Sequence, residues 1–246
     1  MADQIRRSWL ARKLEAAIQK GFLRAYHGVR VDPARFLEQL RSAHGLPLSS
    51  FADTFQLDLR RLDGIADETI RSGMKLAALE GAGFGLGGAL TLLPDMSIMA
   101  AITLRTIQKL SLVYGFEFNT DHEMAELWVA AATAAGVDIS RELIEKEVVS
   151  RFVPRVIQRI AVKASTEVVE KWAGRIIPLV SSVIGAGLNY YFIRAWGRRA
   201  KKYFRARHLE MRQRNATPPP TVSGSVQATI NGVIALPPST AGTLRS

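Results

Sequence analysis

Five polar side chains, Asp95, Arg105, Gln108, Tyr114 and Asn189, lie within or beside strongly apolar segments, where each must find a hydrogen-bond partner or a ligand. Two chemistries follow. The five can form a buried polar network between helices, or Asp95 and Arg105 can line a small site for a polar ligand or lipid headgroup. Ten residues put Asp95 and Arg105 about 15 Å apart along one straight helix, so each needs a partner from another helix. No catalytic arrangement accompanies them. The four histidines, His27, His44, His122 and His208, are scattered without metal-ligand spacing, and the chain has no cysteine to serve as nucleophile or thiolate ligand. His122 and Glu123 read as the first turn of a helix after an Asp121 cap. The expectation is a protein without catalytic residues, metal or cofactor, whose role is not enzymatic.

The run from Gly81 through Gly83, Gly85, Gly87 and Gly88 admits a sharper chemical test. Residues 83–88 match G-x-G-x-x-G, whose glycines allow a tight turn and close backbone approach to a pyrophosphate. The surroundings argue against that reading. A buried strand should precede the fingerprint, whereas 62–80 carries helical periodicity; no βαβ unit follows, and no phosphate-loop lysine comes after Gly88. Gly81/Gly85 and Gly83/Gly87 are each i,i+4 pairs, the spacing that lets a second helix come close. The fourteen uncharged residues between Glu80 and Asp95 would span about 21 Å as a helix, against about 30 Å of bilayer hydrocarbon. A helical hairpin that dips into a bilayer or fills a bundle fits better than a full crossing.

A second apolar stretch, 176–193, holds Ser181, Gly185, Gly187 and Asn189, with Gly185 and Gly187 read as helix-packing positions. Tyr190, Tyr191, Phe192 and Trp196 sit at its end, followed by Arg194, Arg198, Arg199, Lys201, Lys202 and Arg205. Aromatics leading into a basic stretch have the form of an interfacial anchor on an anionic leaflet; a solvated charged helix with its aromatics on the bundle is the alternative. The formal net charge of +11 favours an anionic partner: a membrane surface, an acidic protein or nucleic acid. Nucleic acid ranks below the membrane, because no recognisable nucleic-acid module accompanies the 194–214 helix.

Helices must position all of these groups. Apolar residues recur at helical spacing in Phe36, Leu37 and Leu40, in Phe51, Phe55, Leu59, Leu62, Ile65 and Ala66, and in Ile144, Val148, Phe152, Val156 and Ile160. Strand alternation is scarce, so an all-α bundle is predicted, with a helix start at Asp32-Pro33 and breaks near 45–47, 94–95, 115–119, 136–138 and Pro178. Pro154 reads as a kink rather than a boundary. Residues 1–214 form the expected helical domain, and 215–246, rich in Pro, Ser and Thr, are expected to be a disordered tail. The first twenty residues interleave Arg6, Arg7, Arg12 and Lys13 with apolar ones and lack a signal-peptide core, which predicts a cytoplasmic protein, peripheral to or partly embedded in the inner membrane.

The motifs Leu62-Asp63-x-x-Ala66, Glu80-Gly81-Ala82 with the glycines that follow, Pro94-Asp95, Leu104-Arg105-x-Ile107-Gln108, Tyr114-Gly115, and Ile177-Pro178 through Gly185-Ala186-Gly187-Leu188-Asn189 fall in order along the chain. In these the sequence resembles the EcsC proteins of bacteria, over roughly residues 62–205. The resemblance implies a helical domain and brings no catalytic residues to transfer.

Overall fold

In the computed structural model, residues 2–83, 96–139, 148–172 and 182–216 are described. Asp95, Gly85, Gly87, Gly88 and the tail 217–246 lie outside them. The described residues form an all-α bundle of α1 (Ala2–Gly28), α2 (Pro33–His44), a 3-10 turn (Phe51–Gln56), α3 (Leu59–Gly83), α4 (Met96–Val113), α5 (Asp121–Ala134), α6 (Val149–Trp172) and α7 (Ser182–Ala216).

Local chemistry sets most of the boundaries. The Asp32 carboxylate accepts the Arg35 N–H at 3.2 Å, Pro33 occupies the first turn, and Gly45 closes α2 in the left-handed region at φ +59°. The start of α5 differs by one residue from the expected Asp121 cap. Thr120 is the cap, and its hydroxyl and the Glu123 carboxylate exchange hydrogen bonds with each other's backbone N–H. The periodic stretch 51–66 is also divided. The Asp53 carboxylate accepts the N–H groups of Ser49 and Ser50 and fixes the short 3-10 turn, and Asp58 then accepts the Arg60 N–H as α3 begins. Pro154 sits inside α6 and does not end it.

Helix α4 is the core. Met99, Ala100, Leu104, Ile107 and Leu110 are buried, and α1, α3, α5 and α7 all pack against it. Among the described residues it alone is long and apolar enough to cross a membrane, yet 72% of it is buried inside the bundle. Phe22 of α1 stacks on Trp196 of α7 at 5.6 Å and meets Trp128 of α5 edge-on at 6.4 Å, joining three helices through large apolar surfaces worth roughly 1.5–3 kcal/mol per ring.

Register follows from specific pairs. Asp63 meets Arg205, Asp67 meets Lys201, and Gly73 meets Ile193, so α3 and α7 run antiparallel. Ala77 packs with Ile102 and Ile193 in a satellite cluster that Met74 and Ile98 complete. The C-terminal end of α3 and the N-terminal ends of α4 and α7 therefore lie together at one end of the bundle. Glu167 of α6 accepts the Tyr191 hydroxyl, which brings the last turns of α6 to the same end.

Close helix approach occurs where the sequence pattern did not point. At Gly21 a Cβ would lie 2.5 Å from the Met96 carbonyl oxygen, and at Gly73 it would lie 2.7 Å from Thr106 Oγ1. Gly81 and Gly83 fall in the last turn of α3, and Gly185, Gly187 and Asn189 in the first turns of α7. What surrounds those five lies outside the described residues.

Candidate functional site

The polar residues of α4 are directed to three separate places. Gln108 is buried and binds the α1–α2 connection, its Oε1 accepting the Val31 N–H at 2.8 Å and its Nε2 donating to the Val29 carbonyl at 3.1 Å. That pair satisfies both ends of the amide, a structural role. Tyr114 ends the α4 segment, followed by Gly115 at φ +89°, where a Cβ would lie 2.5 Å from Thr54 Oγ1 and 2.8 Å from the Phe55 ring. Its hydroxyl donates to Asp63 Oδ1 at 2.6 Å. Arg105 is exposed and joins neither residue.

Around Asp63 a polar lock holds α3, α4 and α7 together. Arg205 Nε donates to Asp63 Oδ2 at 3.0 Å, and Lys201 Nζ donates to the Asp63 carbonyl at 3.1 Å and to Asp67 Oδ1 at 2.8 Å. Partial burial pushes the Asp63 pKa up, but the hydrogen bonds from Tyr114 and Arg205 and the nearby Lys201 charge hold it below its ordinary value. Burial and the adjacent Asp63 carboxylate raise the Tyr114 pKa strongly, so the phenol is a fixed proton donor and not a base. His208 lies behind, fully buried, its Nδ1–H donating to the Tyr114 carbonyl at 2.9 Å and its ring stacked on Phe55 at 4.7 Å. Its Nε2 has no hydrogen-bond partner among the described residues. Burial depresses the His208 pKa, which keeps the imidazole neutral.

Arg105 opens instead onto a groove of about 170 Å³ between α2, α3 and α4. Lys109, one turn along α4, lines the same groove half-buried, with its ammonium 5.3 Å from the Phe36 ring centroid. Burial and then the Arg105 charge lower the Lys109 pKa. Glu68 also lines the groove, from α3. Neither cation has a carboxylate within 4 Å among the described residues.

The basic residues of α7 divide by face. Lys201 and Arg205 are taken by the acids of α3, and Arg199 donates to the Ala134 carbonyl and lies 3.7 Å from Glu167. Arg207 pairs with Glu126, and Arg212 donates to the Leu57 carbonyl. Arg194, Arg198 and Lys202 are exposed, and among the described residues none has a carboxylate partner. At i,i+4 spacing they form one row about 12 Å long. Of the aromatics beside them, Phe192 and Trp196 are buried and Tyr191 binds Glu167, which leaves Tyr190 on the surface. No cluster of potential metal ligands occurs among the described residues.

Sequence reasoning did not single out Asp67, Lys109 or the buried His208. The signal for Asp67 was present: Asp63 and Asp67 share the i,i+4 spacing of Lys201 and Arg205.

A sequence model of the EcsC protein family matches residues 4–209, from α1 into the second half of α7. The chain belongs to the EcsC protein family. Protein EcsC of Bacillus subtilis (strain 168) is similar, 23% identical over 205 residues that cover 81% of this chain and 86% of that protein. No solved structure matches the chain. The EcsC match reaches well before residue 62, where the motif resemblance begins, so α1, α2 and the 3-10 turn belong to the family's domain. Residues 210–246 lie beyond the matched region.

Proposed function

We propose that this EcsC-family chain is a non-enzymatic protein that docks on an anionic membrane surface through the end of the bundle where α3 and α7 meet. The observation that carries this reading is the exposed row of Arg194, Arg198 and Lys202, which has no carboxylate partner among the described residues and runs along α7 toward solvent-facing apolar side chains at that end. Leu76 and Leu79 of α3 are 41% and 73% exposed, and Tyr190 of α7 is 41% exposed. Cations next to exposed leucine and tyrosine suit the boundary between headgroups and acyl chains, at about 1 kcal/mol for each Lys or Arg near an anionic surface.

The sequence between the helices supports the same end. The uncharged stretch 81–94 runs from the last turn of α3 toward α4, and the uncharged stretch 176–193 runs into the first turns of α7, whose N-terminal end lies there. The apolar helix α4 does not enter the argument, because the bundle covers most of it. Fractionation of cells expressing the full chain tests the reading through parallel washes of the membrane pellet. Release by high salt is expected for contact through the α7 row, and resistance to both salt and alkaline carbonate for apolar stretches that enter the bilayer. Recovery in the soluble fraction at low salt would contradict it.

A further inference from the structure

The groove between α2, α3 and α4 contains a combination that the folded bundle itself does not explain. Arg105 and Lys109 stand one turn apart on the same side of α4, like charges whose repulsion costs stability. Lys109 is half-buried, and no carboxylate comes within 4 Å of either cation among the described residues. Elsewhere Lys201, Arg205 and Arg207 of α7 each have an acid partner, and Arg212 has the Leu57 carbonyl. Facing α4 across the groove, Glu68 supplies a hydrogen-bond acceptor, and Phe36 gives an apolar wall.

We propose that this groove binds a small phosphomonoester of the glycerol phosphate type, its phosphate held by Arg105 and Lys109. A phosphate dianion removes the repulsion between the two cations and gives each a charge-assisted hydrogen bond. The guanidinium suits two phosphate oxygens at once, and the ammonium acts as a point charge. The carbon skeleton lies against Phe36, and the Glu68 carboxylate accepts from the polyol hydroxyls, which accounts for an acid in an otherwise cationic groove. The volume of about 170 Å³ is below the roughly 300–1,000 Å³ of sites for drug-sized ligands and suits a three-carbon phosphate. The same chemistry occurs in a free ester and in a phospholipid headgroup, and the inference does not depend on docking through α7.

The test is calorimetric titration of the full chain with sn-glycerol 3-phosphate, alongside flotation with vesicles containing phosphatidic acid. Saturable binding by the wild type is expected, weakened about tenfold or more by Arg105→Gln and by Lys109→Met, with potassium chloride at matched ionic strength giving no titration. Arg105 is exposed, so its variant keeps the test valid even where Lys109→Met impairs folding. Arg198→Gln, outside the groove, leaves the titration unchanged. Loss in Arg105→Gln of any preference for phosphatidic acid over phosphatidylglycerol vesicles identifies a lipid headgroup, whereas loss of glycerol phosphate binding alone identifies a free ester. No binding of either probe by the wild type, or equal affinity in the wild type and both folded groove variants, overturns the proposal.

Discussion

Tyr114 donates its phenolic hydrogen to the Asp63 carboxylate at 2.6 Å, tying the C-terminal end of α4 to the first turns of α3. Arg205 reaches the other carboxylate oxygen from α7, so one acid on α3 joins three helices. Tyr114→Phe removes a hydrogen bond to a charged acceptor and is expected to cost about 1.5–3 kcal/mol in urea unfolding. Asp63→Ala should cost more, since it leaves the Tyr114 hydroxyl without its acceptor and Arg205 and Lys201 without that charge. Because the folded pKa of Asp63 lies below its ordinary 3.8, its contribution is complete above that value and is lost as pH falls through the folded value. Asp63→Asn should flatten this acid limb.

His208 gives a pH dependence in a different window. Its folded pKa is depressed below 6.5, chiefly by burial, with Arg212 pushing in the same direction and the Tyr114 carbonyl and Asp63 opposing. The unfolded chain therefore takes up a proton before the folded one does. Stability is complete above about pH 6.5 and declines as pH falls through the folded value. His208→Asn keeps a donor near the Nδ1 position and cannot titrate. Melting temperatures measured from neutral pH to about pH 5 should show a smaller decline for the variant than for the wild type.

Two glycines separate close approach from mere flexibility. At Gly21 a Cβ would meet the Met96 carbonyl carbon and oxygen at 2.7 and 2.5 Å, backbone atoms that cannot rotate aside, whereas at Gly64 nothing lies within 4 Å. Gly21→Ala is expected to destabilise by about 1–3 kcal/mol as α1 is forced off α4. Gly64→Ala, within α3, should stabilise by about 0.5–1 kcal/mol through helix propensity. Chemical denaturation of both variants checks the opposite signs.

The helical class and several boundaries were legible because they rest on local chemistry. Asp32, Pro33 and Gly45 act within a turn of themselves, and each does what its side chain or backbone freedom dictates. The Thr120 cap was one residue off, since Asp121 competes for the same position and only the reciprocal bonds with Glu123 decide between them. Partners distant in sequence were not legible. Nothing in the spacing of Arg105, Gln108 and Tyr114 says that one faces a groove, one binds the α1–α2 connection and one reaches Asp63. The six basic residues 194–205 read as one patch. The helix pairing divides them, because Lys201 and Arg205 face α3, Arg199 lies beside α5 and α6, and Arg194, Arg198 and Lys202 face solvent.

That division also predicts which charge changes unfold the protein. Lys201→Glu with Arg205→Glu places two new acids against Asp67 and Asp63 and should lower the melting temperature markedly, seen by circular dichroism. Reversal of the exposed row changes no pair within the bundle and should leave the melting temperature nearly unchanged.

The decisive measurement is flotation of the full chain with vesicles containing phosphatidylglycerol and with vesicles of phosphatidylcholine alone, for the wild type and for the variant carrying Arg194→Glu, Arg198→Glu and Lys202→Glu. Docking through the α7 row predicts that the wild type floats only with the anionic vesicles, that high salt weakens this, and that the folded triple variant stays behind. A wild type that floats with neither vesicle, or a triple variant that floats as the wild type does, would contradict it.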